Sequence, residues 1–140
     1  MSKKHVVATI GVGHYETQMR TRDHELISDE PIDAGGGDLG PSPSEYLCMA
    51  LGACKTITMR MYADRKGWPL ESAEVHVDHE RINADSIEEE GYQGLVSVFT
   101  VSYELKGALD DTQQKRLMAI ADRCPVHRTL SNGSLIRHSA

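Results

Sequence analysis

At 140 residues and a formal net charge of −6, the chain has room for one domain, taken here as residues 1–140. It carries no basic run that would suit nucleic acid or an anionic membrane surface. Its 39 % hydrophobic and 26 % charged content exclude a disordered polyelectrolyte, and no apolar run approaches the length of a membrane span. Aromatics are scarce, so the core is expected to be aliphatic and Met-rich. The basic start, MSKKHVVATIGVGH, lacks a full apolar region and a small-residue cleavage site. No signal peptide is expected, and the cytoplasm is the default compartment. Three cysteines, an odd number, do not read as a structural disulfide framework.

Strands are expected at residues 5–10 and 14–20, joined by a Gly11–Gly13 turn, and a third at 24–28 after Arg22-Asp23. Residues 30–42 form a glycine-rich loop. Its GGGDLG run lacks the GK[ST] ending of a phosphate cradle and has no GxGxxG arrangement between a strand and a helix. A long helix follows, capped by Ser42 or Ser44 with Pro43 in its first turn, and ends at about residue 66 before Gly67. From Leu47 to Cys54 it has no charged residue on any side, so either a sheet wraps it or a second subunit covers it.

Strands are expected at 72–82 and 92–106, separated by an acidic loop, then a helix capped by Asp110 or Asp111 that stops before Pro125. A helical turn, PVHRTL, comes next, and residues 134–138 are expected to make a last strand. The order βββ–α–ββ–α–β has no regular βαβ alternation and predicts an α+β fold.

Helical spacing places Cys54 on one stripe with Leu47, Leu51 and Met61, facing whatever the helix packs on. Cys48 lies about 120° away around the helix and roughly 9 Å along it, too far for a disulfide with Cys54. Cys124 continues the apolar stripe of Leu117, Ile120 and Ala121. If PVHRTL is helical, Cys124 sits at its N-terminus, where unpaired N–H groups favour a thiolate, with Arg123, His127 and Arg128 adding positive charge. Cys54 and Cys124 are therefore permitted to meet, and equally permitted to be core filling. The Cys124-x2-His127 spacing suits zinc together with Cys54 or Cys48, but no second paired motif accompanies it, and His76 and His79 point to opposite faces of their strand. No metal or other cofactor is expected.

Three stretches, DEPIDAGGGDLGPSPSEYLCMALGAC (29–54), TMRMYADRKGWPLE (58–71) and ADRCPVHRTL (121–130), resemble the OsmC family. That family unites osmotically induced protein C with the organic hydroperoxide resistance proteins. The resemblance implies an OsmC-like α+β fold with long central helices packed on antiparallel sheets, in an intertwined homodimer. It also implies a thiol-dependent hydroperoxide reductase. Cys54 would become a sulfenic acid, Cys124 would resolve it as a disulfide, and an external dithiol would reduce that bond. An arginine from the N-terminal strands and a glutamate near the start of the long helix support the thiolate in such proteins. Here Arg20, preferred over Arg22 beside the turn, and Glu45 match those roles. The glutamate of the organic-hydroperoxide branch lies one residue further from the cysteine, where this chain has Ser44, so Glu45 is displaced by about 100° around the helix. A carboxylate in the first turn is also favoured by the helix dipole alone. His127 would either polarise Cys124 or pack. Two other classes share the fold: a redox-responsive protein without significant turnover, and a small-molecule-binding protein with inert thiols.

Overall fold

The computed structural model describes residues 3–139; Met1 and Ser2, the first residues of the basic start, and Ala140 lie outside them. The chain divides after Leu47 into two compact units. In the first, β1 (Val7–Ile10), β2 (Thr17–Thr21) and β3 (His24–Ser28) form an antiparallel meander. Val7 pairs with Arg20 and Arg20 with Glu25. Arg22 does not extend β2. It takes φ 53° in the β2–β3 turn, so Arg20 and Arg22 do not share a strand face.

The glycine-rich loop that follows is wrapped around a buried carboxylate. Asp29 accepts backbone N–H groups from Glu30 at 2.7 Å, Gly37 at 3.2 Å and Leu39 at 3.1 Å. A Cβ at Gly36 would collide with the Glu30 carbonyl, and one at Gly40 with the Ile27 carbonyl. These glycines let the backbone close on Asp29. The loop's inward N–H groups thus serve an internal anion, in line with the absence of a phosphate-binding motif.

The long helix α1 spans Pro43–Lys66, about 36 Å at 1.5 Å per residue. Ser42 caps it: Glu45 N–H donates to Ser42 Oγ at 3.3 Å, and Ser42 N–H donates to Glu45 Oε1 at 2.9 Å. At its other end Gly67, with φ 70°, lets Trp68 N–H reach back to the Ala63 carbonyl at 2.9 Å.

In the second unit α1 continues, followed by the antiparallel pair β4 (Leu70–Asn83) and β5 (Leu95–Gly107), then α2 (Asp111–Ala121) and α3 (Pro125–Asn132). Asp110 caps α2 in a reciprocal box with Gln113. One face of the β-pair, with Ala73, Val75, Tyr103 and Leu105, packs on a core of Met59, Tyr62, Ala63, Leu117, Ile120 and Ala121. The other face carries exposed Glu74, His76 and Glu104. As their spacing predicts, His76 and His79 diverge: His76 bonds Glu74, whereas His79 stacks on Phe99 with centroids 4.6 Å apart.

Two expectations fail. Residues 134–138 form no strand, and Ile136 is 87 % exposed. Gly133 ends α3, and the following five residues have no strand to pair with among the described residues. The buried row of α1 is also not the one that spacing suggested. Leu51, Lys55, Met59, Tyr62 and Ala63 face inward, while Leu47 and Met61 are exposed. A second row, Met49, Ala53, Ile57 and Met61, runs along the opposite side at i, i+4 spacing and is open to solvent. The helix is apolar on two faces, and its own chain covers one. The α+β class itself is observed.

Candidate active site

Cys124 is the N-cap of α3 and is fully buried. The stripe Leu117, Ile120, Ala121 and Cys124 is buried as its spacing predicts. Pro125 supplies the first helical residue, and His127 N–H donates to Cys124 Sγ at 3.3 Å. Half-buried Cys54, on α1, lies close enough to Cys124 to act on its thiol. The two residues, 70 apart in sequence, are neighbours in the fold, and no disulfide joins the three cysteines. Burial pushes the Cys124 thiol above its usual range. The His127 N–H opposes that rise, Cys54 reinforces it, and the charge of Lys55 pulls it back down. The cation acting on Cys124 thus comes from another helix, while its sequence neighbour Arg123 is exposed.

Lys55 is the residue that sequence reasoning missed. Its side chain is 1 % exposed. Its Nζ lies 3.2 Å from the Ala121 carbonyl, 3.2 Å from Asp122 Oδ1 and 2.9 Å from His127 Nδ1. Three acceptors meet the three donors of an ammonium, with His127 Nδ1 as the ring acceptor. The Tyr103 ring lies 6.0 Å from Nζ, and its hydroxyl donates to Asp122 Oδ1 at 3.4 Å. The available signal was a lysine at the centre of the i, i+4, i+8 row Leu51–Lys55–Met59, one position after a cysteine. A single basic residue on a long helix ordinarily reads as solvent-facing.

Arg20 and Glu45 belong to the first unit. Arg20 is exposed on β2 and lines a concavity of about 550 Å³ with Val7, Gln18, Glu25 and Ile27. Glu45 is engaged in the α1 capping box, and the Ser42 N–H and hydroxyl hold its carboxyl below the usual range. Among the described residues no ion pair joins Arg20 to Glu45. Cys48 lines a shallow groove of about 360 Å³ beside α1 with Met49, Gly52, Ala53, Thr56, Val75 and Val77. The Cys–His zinc grouping is not assembled among the described residues. The donors close enough to share a cation are instead Glu74, His76 and Glu104, all exposed. No described helix is long and apolar enough to cross a membrane.

Solved structures share this fold. An OsmC-like protein from Mycoplasma pneumoniae superposes with a TM-score of 0.73 at 21 % identity, covering 93 % of this chain and 88 % of that one. An organic hydroperoxide resistance protein OsmC from Legionella pneumophila gives 0.67 at 18 % identity, over 92 % and 89 % of the two chains. An organic hydroperoxide resistance protein from Elizabethkingia anophelis, crystallised with thiocyanate bound, gives 0.69 at 14 % identity, over 94 % and 91 %. No curated protein matches the chain. The family model of OsmC-like proteins matches residues 35–139, a span that holds the GPSPSEYL segment, α1, Cys54 and Cys124, and the chain belongs to that family.

Proposed function

We propose that the protein is a thiol-dependent peroxidase that reduces organic hydroperoxides, with Cys54 as nucleophile and Cys124 as the resolving thiol. The observation that carries the reading is the proximity of Cys54 to a Cys124 thiol set at a helix N-terminus. Membership of the OsmC-like family and the printed names of its hydroperoxide-resistance relatives support it.

The Cys54 thiolate attacks the distal oxygen of the hydroperoxide. An S–O bond forms, the O–O bond breaks, and the alkoxide leaves as an alcohol after taking a proton. The Cys124 thiolate then attacks the Cys54 sulfur. An S–S bond forms, the S–O bond breaks, and hydroxide leaves as water with the proton that Cys124 released. An external dithiol reduces the disulfide and is itself oxidised. Arg20 is the cation proposed to support the Cys54 thiolate, and Glu45 its carboxylate partner. The aliphatic surroundings of Cys54 favour a substrate with an apolar tail. No cofactor enters this scheme.

We further propose a homodimer in the cytoplasm, in which a second copy covers the open row Met49, Ala53, Ile57 and Met61. Sedimentation of an Ile57→Glu chain tests this: a monomer is expected, and an unchanged dimer would remove the row from the interface.

Turnover with an alkyl hydroperoxide and a dithiol tests the chemistry. Cys54→Ser abolishes reduction, whereas Cys124→Ser permits one rapid oxidation and then stalls unless the external thiol resolves the sulfenic acid. Full turnover by Cys54→Ser would mean that another group is the nucleophile. Stoichiometric oxidation of the intact chain without turnover would favour a redox-responsive protein.

A further inference from the structure

We propose that Lys55 is a positioning residue for the resolving cysteine: its buried ammonium, anchored by Ala121, Asp122 and His127, supplies the positive charge against which the Cys124 thiolate forms. The inference deepens the peroxidase reading and rests on it only for its catalytic consequence.

The geometry is that of a charge held for a purpose beyond packing. A buried ammonium is costly unless every donor is satisfied. Lys55 meets that condition with three acceptors, all from the segment that carries Cys124: Ala121 ends α2, Asp122 lies between the helices, and His127 is on α3. The segment is thereby pinned to α1 on both sides of Cys124, one residue away from Cys54. Of these acceptors only Asp122 is a full anion, and its side chain is 62 % exposed. Water therefore screens it more than it screens Lys55, and a net positive potential remains on the buried side, where Cys124 lies.

The charged and titratable groups facing this point are Lys55 and Cys54 from α1, Tyr103 from β5, Asp122, and His127 from α3. His127 also gives Cys124 a backbone N–H, so holding its ring by Nδ1 fixes the cap that a thiolate would use. Burial works against the Cys124 thiolate, and Lys55 is the buried cation placed to offset it. The consequence falls on two steps. Cys124 must be a thiolate to attack the Cys54 sulfenic acid, and it must leave as a thiolate when the dithiol attacks Cys54 of the disulfide.

The test titrates Cys124 alone, by thiolate ultraviolet absorbance against pH, in a chain carrying Cys48→Ala and Cys54→Ser. Lys55→Gln keeps a donor for the Ala121 carbonyl and removes the charge; the midpoint is expected to rise by about one pH unit. Lys55→Arg restores the charge and should bring it back to within about 0.3 unit of the Lys55 value. Asp122→Asn, at an exposed position, needs no repacking and acts in the opposite direction: with the counter-charge gone the midpoint falls. Equal midpoints for Lys55, Lys55→Gln and Asp122→Asn would overturn the proposal and leave Lys55 a structural anchor. No peroxide enters this measurement. A shifted midpoint in a chain that reduces no hydroperoxide would uphold the role of Lys55 and retire the peroxidase reading, and turnover with unshifted midpoints would do the reverse.

Discussion

Asp29 and Lys55 are both charged, both almost fully buried, and both surrounded by hydrogen-bond partners, yet they are built differently. Asp29 takes its side-chain hydrogen bonds from backbone alone, the N–H groups of Glu30, Gly37 and Leu39, and His14 acts on it only through charge. Lys55 is answered by one backbone carbonyl and two side chains that titrate, within the field of a thiol. Backbone donors cannot change protonation or swing away, so the hydrogen bonds of the first arrangement hold a loop in shape. The second can exchange protons and charge with its neighbours. The contrast separates a buried ion that serves architecture from one that serves chemistry.

The largest way to break the comparison is at the thiols beside Lys55. Cys54→Ser should remove peroxide reduction entirely while leaving the melting temperature within a few degrees, because the hydroxyl nearly fills the same half-buried space. Asp29→Ala should do the opposite. Three loop N–H groups lose their acceptor, and the melting temperature should fall by roughly 5 °C or more. The exchange between Cys54 and Cys124, followed by mass below that temperature, should be unchanged. Burial raises the Asp29 carboxyl, but the N–H groups of Glu30, Leu39 and Gly37 outweigh it and hold the carboxyl below its ordinary value. A carboxyl lowered in the folded state stabilises the fold above its unfolded value and loses that contribution as pH falls toward the folded one. Acid should therefore loosen the loop around residues 29–40 first, read by amide exchange. In the Asp29→Asn chain this acid step should vanish.

Lys55→Met should cost less stability than a fully buried ion pair would suggest, about 1–3 kcal/mol by denaturant titration. Asp122 and His127 are partly exposed and can turn to water, which leaves mainly the Ala121 carbonyl without a partner. The smallest effect belongs to Glu45→Gln. Gln can still accept from Ser42 N–H in the capping box, so the melting temperature should move by only about 1–3 °C. A loss of peroxide reduction in that chain would show that Glu45 acts beyond its cap.

The comparison also explains what could be read from the sequence. Turn and cap chemistry is local, so the β2–β3 hairpin and the Gly67 stop were legible from a few adjacent residues, and the Ser42 and Asp110 caps were each narrowed to one of two nearby residues. Cys124 at a helix N-terminus was legible for the same reason, because Pro125 marks the first helical position. Burial of a charge is not local. The GGGDLG loop reads as a loop, but nothing in it names Asp29 as the group it encloses. Lys55 lies where an apolar row would put a leucine, and only the fold brings its three acceptors from residues 121–127. The same limit applies to Cys54. Its stripe was assigned by spacing, and the helix proved to be rotated so that Lys55, its neighbour, faces the core. Residues 134–138 alternate too weakly to specify a strand, and a strand exists only where a partner does.

The central claim is that Cys54 and Cys124 form one redox unit. The measurement that tests it most directly is intact mass, with peptide mapping, after one equivalent of an alkyl hydroperoxide is added to the native chain. The account predicts the loss of two hydrogens, located to a bond between Cys54 and Cys124. An unchanged mass with both thiols reduced would contradict it and make the two cysteines, despite their proximity, part of the core.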